Sequence, residues 1–116
     1  MARENSTFLY EVLENEVLVV SISGEVDHHG AVGVRSDIDE LIFEKRPKKL
    51  VLDLSSVSFM DSSGLGLIMG RYSLMKDLGG KLLLKDPPSA VMRILSLAGI
   101  ERLIRIEKTD KEEVKK

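Results

Sequence analysis

Asp61-Ser62-Ser63-Gly64 puts one carboxylate and two hydroxyls into four consecutive residues, followed by a second glycine at Gly66. A serine hydroxyl in such a turn can cap a helix, attack a carbonyl or accept a phosphoryl group. Each role needs a different surrounding. A cap needs one short polar side chain beside the free N–H groups of a first helical turn. Two serines next to an aspartate exceed that need. Gly64 and Gly66 also weaken a helix by about 1 kcal/mol each relative to Ala, while clearing steric room. A serine exposed at a helix N-terminus has unpaired amides and a favourable dipole at hand, so a phosphate on it would find donors. Ser62 is therefore a candidate phosphoacceptor, with Asp61, Ser63, Gly64 and Gly66 supporting the turn.

The nucleophilic reading lacks partners. A Ser-His-Asp hydrolase needs a histidine that can approach the serine. His28 and His29 are the only histidines, they adjoin Asp27, and no Gly-x-Ser-x-Gly elbow is present. The Gly-x-x-x-x-Gly-Lys-Ser/Thr phosphate loop is also absent, and Gly64-Leu65-Gly66 with Gly70 misses the dinucleotide spacing. Asp27-His28-His29 is a poor metal site, because adjacent side chains on a regular helix cannot both face one ion. No cofactor and no metal are expected.

The 116 residues suit one domain, with a core over about 7–107 and a charged tail over 108–116. The chain is 43% hydrophobic with no Trp, so the core must be built from Leu, Ile, Val and Met. A net charge of -2 argues against a nucleic-acid binder, which shows a basic excess. The basic run Lys45-Arg46-Pro47-Lys48-Lys49 reads as a solvated loop. There is no Cys, no apolar run of about 18 residues, and no signal-peptide pattern in Met1 to Thr7. A cytoplasmic monomer without a membrane span is the expectation.

The elements that must position the turn follow from periodicity. Phe8, Tyr10 and Val12 alternate with polar neighbours, and Val17 to Ile22 forms a second strand after the turn Glu14-Asn15-Glu16, giving an antiparallel hairpin. Asp27 is a plausible N-cap for a helix over ~28–45 whose inner face carries Ala31, Val34, Ile38, Leu41 and Ile42. Leu50 to Leu54 is a buried strand and Ser55 to Ser63 reads as a loop. The next helix spans Gly64 to Leu78, with Leu65, Ile68, Met69, Tyr72 and Met75 inside, and Gly79-Gly80 ends it. Lys81 to Lys85 is a strand, and Asp86-Pro87-Pro88-Ser89 opens a third helix lined by Val91, Ile94, Leu95 and Ala98. Leu103 to Ile106 is the last strand. The order β-β-α-β-α-β-α-β predicts a mostly parallel α/β sheet with one antiparallel edge strand. The Ser62 turn then lies outside the carboxyl ends of the strands, where open α/β sheets meet ligands and partners.

Phe59-Met60-Asp61-Ser62-Ser63-Gly64-Leu65-Gly66, followed by Gly70-Arg71-Tyr72, closely resembles the phosphorylation turn of the STAS family, and within it the bacterial anti-sigma factor antagonists. Gly24-Glu25-Val26-Asp27-His28-His29 is similar to the sporulation branch that acts on an anti-sigma-F factor. Gly79-Gly80 and the stretch from Ala90 to Gly99 extend the resemblance, which covers about Val17 to Ile106. It implies a partner-switching protein rather than an enzyme. The unmodified form would bind an anti-sigma factor that is also a serine kinase, freeing the sigma factor. Phosphorylation of Ser62 would end binding, and a serine phosphatase would restore it. Asp27 and Asp61 would lie on or near the partner surface. A general-stress-type antagonist, and a ligand-sensing STAS module that is not phosphorylated, are the alternatives.

Gly66, Gly70 and Ser73 follow Ser62 at helical spacing as a low-relief stripe, flanked by Leu67, Arg71 and Leu74. Such a stripe admits either a partner or one of the protein's own helices.

Overall fold

The computed structural model describes residues 6–109. One five-stranded sheet runs through it in the order β1-β2-β3-β4-β5. The strands are β1 (Ser6–Leu13), β2 (Val17–Val26), β3 (Lys49–Met60), β4 (Lys81–Lys85) and β5 (Arg105–Glu107). The first pair is antiparallel and the other three pairs are parallel. Between the parallel strands run α1 (His28–Lys45), α2 (Ser62–Asp77) and α3 (Ser89–Leu97), with a 3₁₀ turn at Ile100–Arg102 before β5.

Alternation along the strands decides where the helices go. Leu18, Val20 and Ile22 of β2, Leu50, Leu52 and Leu54 of β3, and Leu82 and Leu84 of β4 all point into one core. The inner residues of α1, Ala31, Val34, Ile38, Leu41 and Ile42, close over them as expected, together with Val91 and Leu95 of α3. Val51 and Leu83 are buried too, but they point to the opposite face and lie outside that core.

Four expectations are corrected. Residues 55–60 are not loop: β3 continues to Met60. Its pairing with β2 shifts register twice, between Ser21 and Ser23 and between Gly24 and Glu25. Each shift breaks the period of two that sequence reading relies on. Asp53 stabilises the first irregularity by accepting from the Ser55 N–H at 3.0 Å. In β1, only Phe8 packs against the core, whereas Tyr10 and Val12 are about half exposed, because an edge strand lacks full cover. The third helix begins at Ser89, behind Pro88, which offers no side-chain cap. Asp86 instead adopts a left-handed conformation (φ 53°) and its carboxylate accepts from the Thr109 N–H and hydroxyl. The last strand starts at Arg105 rather than Leu103, since the 3₁₀ turn and its bond from the Leu103 N–H to the Ile100 carbonyl hold the preceding residues. The charged tail predicted from residue 108 lies, from 110 onward, outside the described residues.

Candidate functional site

The site is built where two helices start side by side. Val26 and Met60, the last residues of β2 and β3, are register partners in parallel strands. Each is followed by one aspartate, and each aspartate caps a helix. Asp27 accepts from the Gly30 N–H at 2.9 Å, and Asp61 accepts from the Ser63 N–H at 2.9 Å. Both caps have extended backbone, as N-caps require. The Asp61 N–H reaches back to the Val26 carbonyl at 3.5 Å, tying the Ser62 turn to the neighbouring strand. The α2 N-cap is therefore Asp61 and neither serine.

Ser62 is the first residue of α2 and is exposed. Its hydroxyl is free of capping duty. Ser63 is half-buried beside a groove of about 240 Å³ between α1 and α2, lined also by His28, Ala31, Val32, Arg35, Gly66 and Leu67. Of these, Val32 and Arg35 escaped the sequence reading. Their spacing from His28, four and seven residues, marks one face of α1, which the buried stripe overshadowed. His28 and His29 are exposed, and no group of three potential metal ligands occurs among the described residues.

The glycines separate into two kinds. A Cβ on Gly64 would sit 2.3 Å from Cγ of Met60, a buried residue, so the first turn of α2 lies directly on the end of β3. Gly64 is required by packing. At Gly66 and Gly70 no atom of the described residues, apart from the backbone of α2 itself, lies within 4 Å of where a Cβ would be. Among the described residues no other helix covers the α2 stripe at these two positions, and Ser73 on it is exposed.

Two of the flanking residues point elsewhere. Leu67 is buried in the core, and so is most of Arg71. The α2 helix is rotated relative to the expected stripe: Leu67, Ile68, Arg71 and Met75 face in, while Leu65, Met69, Tyr72 and Leu74 are half-buried at its sides. Arg71 Nε lies 2.9 Å from Asp39 Oδ1 on α1, and its Nη1 donates to the Leu67 carbonyl at 3.4 Å. The Nε–H is not aligned on the carboxylate, so the pair is a Coulombic contact rather than a directed hydrogen bond. Burial lowers the Arg71 pKa, the Asp39 charge opposes that shift, and nearby Arg35 adds to it.

The chemistry available is that of an exposed hydroxyl beside a carboxylate, at the start of a helix with one open face. No helix of the described residues is long and apolar enough to cross a membrane.

Residues 11–113 match the STAS domain. An anti-sigma F factor antagonist from Paenibacillus polymyxa is 42% identical over 90 residues, 78% of this chain and 77% of that protein. The fold superposes on the anti-sigma factor antagonist SpoIIAA in its unphosphorylated form, with a TM-score of 0.78 and 29% identity over 93% of this chain and 92% of that one. It also superposes on the Bacillus cell fate determinant SpoIIAA in the phosphorylated form, with a TM-score of 0.72 and 28% identity over 93% and 96%. With a serine turn at the strand ends, a five-stranded mixed sheet and similarity along almost its whole length, the chain belongs to the STAS-domain family of anti-sigma factor antagonists.

Proposed function

We propose that this protein is a regulatory binding protein of the cytoplasm, an anti-sigma factor antagonist switched at Ser62. The unphosphorylated form binds an anti-sigma factor with serine kinase activity and so releases a sigma factor. That kinase transfers the γ-phosphoryl group of ATP to the Ser62 hydroxyl, and a serine phosphatase removes it. The observation that supports this reading is the empty space over Gly66 and Gly70 next to the exposed Ser62. Two glycines that cost α2 about 1 kcal/mol each, and that no contact among the described residues demands, suit a surface over which another protein packs closely. On this reading the footprint includes Asp27, Asp61, Gly66, Gly70, Ser73 and Leu74, with Val32 and Arg35 across the groove. Leu67 and Arg71 act from beneath it by holding α2 in place.

A phosphate on Ser62 brings about -1.5 to -2 charge into that surface, beside the Asp61 carboxylate. A loss of about 3 kcal/mol already weakens binding more than ~100-fold. Nothing needs to refold. The 42% identity to an anti-sigma F factor antagonist favours the sporulation branch over a general-stress role. Incubation with the kinase and ATP followed by intact-mass measurement tests the switch. One added phosphate, lost in Ser62→Ala and retained in Ser63→Ala, is expected. A phosphate that persists in Ser62→Ala refutes the assignment.

A further inference from the structure

The end of the sheet remote from Ser62 is basic and concave. A cavity of about 380 Å³ is lined by Tyr72 and Lys76 of α2, Gly80, Lys81 and Leu82 of β4, Leu103 and Arg105. A second concavity of about 220 Å³ adjoins it, sharing Lys81, Leu82 and Arg105 and adding Lys49, Leu83 and Glu107. The floor is apolar and aromatic: Leu82 is buried, Tyr72 half-buried, and Leu103 half exposed. The rim is cationic except for Glu107, which lies beside Arg105. Lys76 Nζ stands 6.0 Å from the Tyr72 ring centroid. Among the described residues, no carboxylate pairs with Lys49, Lys76 or Lys81, and only Arg105 has a partner, Glu107.

The strand register makes this clustering costly. Lys49 and Lys81 are direct partners on neighbouring parallel strands. Like charges in that relation destabilise a sheet. Four residues further along the same face, the row reads Asp53, Lys85, Glu107, with alternating sign. Charge alternation is therefore present at one end of the sheet and absent at the other, in a chain whose net charge is -2. A local conflict of this kind marks a site with a use.

We propose that this basic pole binds a small anion that carries a ring, of which an aryl phosphate is the simplest example. The ring fits between Tyr72, Leu82 and Leu103, and the anion lies between Lys76, Lys81 and Arg105, with Lys49 adding field. Lysine and arginine are the usual partners of phosphate oxygens, and a cavity of this volume is in the range of ligand pockets. Ser62 and Lys76 are fourteen residues apart on α2, about 21 Å along its axis, so the pole is separate from the Ser62 face.

The test is an amide NMR titration of the full chain with 4-nitrophenyl phosphate, with inorganic phosphate and 4-nitrophenol as the two halves of the probe. Saturable shifts confined to Tyr72, Lys76, Lys81, Leu103 and Arg105 are expected, with each half binding at least about tenfold more weakly. Lys81→Ala should weaken the aryl phosphate about tenfold or more while leaving Tm equal or higher, because it removes the Lys49–Lys81 repulsion. Lys76→Ala, on a different element, should weaken it without touching the sheet. Absence of saturable shifts by about 10 mM overturns the proposal. So do inorganic phosphate binding as tightly as the aryl ester, shifts centred on Ser62, or full affinity in both lysine variants.

Discussion

Arg71 on α2 and Asp39 on α1 meet with 2.9 Å between Nε and Oδ1, and the two ends of the pair are unequally buried, with side-chain exposures of 7% and 32%. That inequality fixes which partner matters more for stability. Removing Asp39 strands a cation in the interior, whereas removing Arg71 leaves a carboxylate that water can still reach. Asp39→Ala should cost about 1–3 kcal/mol, a buried-pair penalty reduced for the solvent at Asp39. Arg71→Met, which keeps the stem volume without the charge, should cost less. Urea unfolding of the two variants checks the order, and a larger loss in Arg71→Met contradicts it.

The three glycines of α2 should respond with opposite signs. Gly66→Ala and Gly70→Ala meet open space, so helix propensity alone acts and each should stabilise by up to about 1 kcal/mol. Gly64→Ala places a methyl 2.3 Å from Met60 Cγ and should destabilise by about 1–3 kcal/mol before that gain is subtracted. Thermal melts read the stability, and titration with the anti-sigma factor reads the binding. Unchanged affinity in both stabilised variants would remove the support for close docking over the stripe.

Asp27 has two candidate duties that one pair of variants separates. Its carboxylate caps α1 through the Gly30 N–H. Asn keeps that bond and drops the charge, while Ala drops both. Asp27→Ala should lose about 0.5–2 kcal/mol, and Asp27→Asn only a few tenths. If affinity for the anti-sigma factor falls equally in both, the charge faces the partner. If it falls only in Ala, Asp27 serves by holding the helix start.

Phosphorylation should move binding far more than melting temperature. The helix dipole favours a dianion at Ser62 by about 0.3–1 kcal/mol. The Asp61 carboxylate, already seated on the Ser63 N–H, opposes it by about 1 kcal/mol at such an exposed position. The two nearly cancel within the domain, whereas an interface offers no such compensation. Calorimetry on the pure phosphorylated and unphosphorylated forms should show Tm values within a few degrees and affinities separated by at least about 100-fold. A melting change matching the loss of binding would mean that the phosphate acts by disrupting the fold.

Much of this was legible in the sequence because the relevant signals are local. The α1 face carries its apolar residues at an undisturbed 3.6-residue period, and Asp27 precedes it as caps do. The Gly79-Gly80 stop is as plain, with Gly79 left-handed (φ 83°) and the Gly80 N–H bonded to the Met75 carbonyl at 2.7 Å. The second half of β3 was hidden because two register shifts erase its alternation, and serines there look like loop. The α2 face was misjudged for a different reason. Arg71 reads as a surface residue until Asp39, thirty-two positions earlier in the chain, is known to stand beside it, and Leu67 turns inward with it. Sequence spacing identifies which residues share a helical face. It does not say which face a second helix will cover.

Every strand of the sheet is hydrogen-bonded to its predecessor in the chain. Among the described residues no strand has to be threaded between two already formed neighbours, and each connection holds one turn or one α-helix, with a 3₁₀ turn added before β5. As the polypeptide leaves the ribosome, the hairpin, then α1 with β3, then α2 with β4 can be laid down outward from one side, each on a completed template. Assembly by accretion of this kind keeps loop closures short and limits the time during which an apolar strand waits for its neighbour.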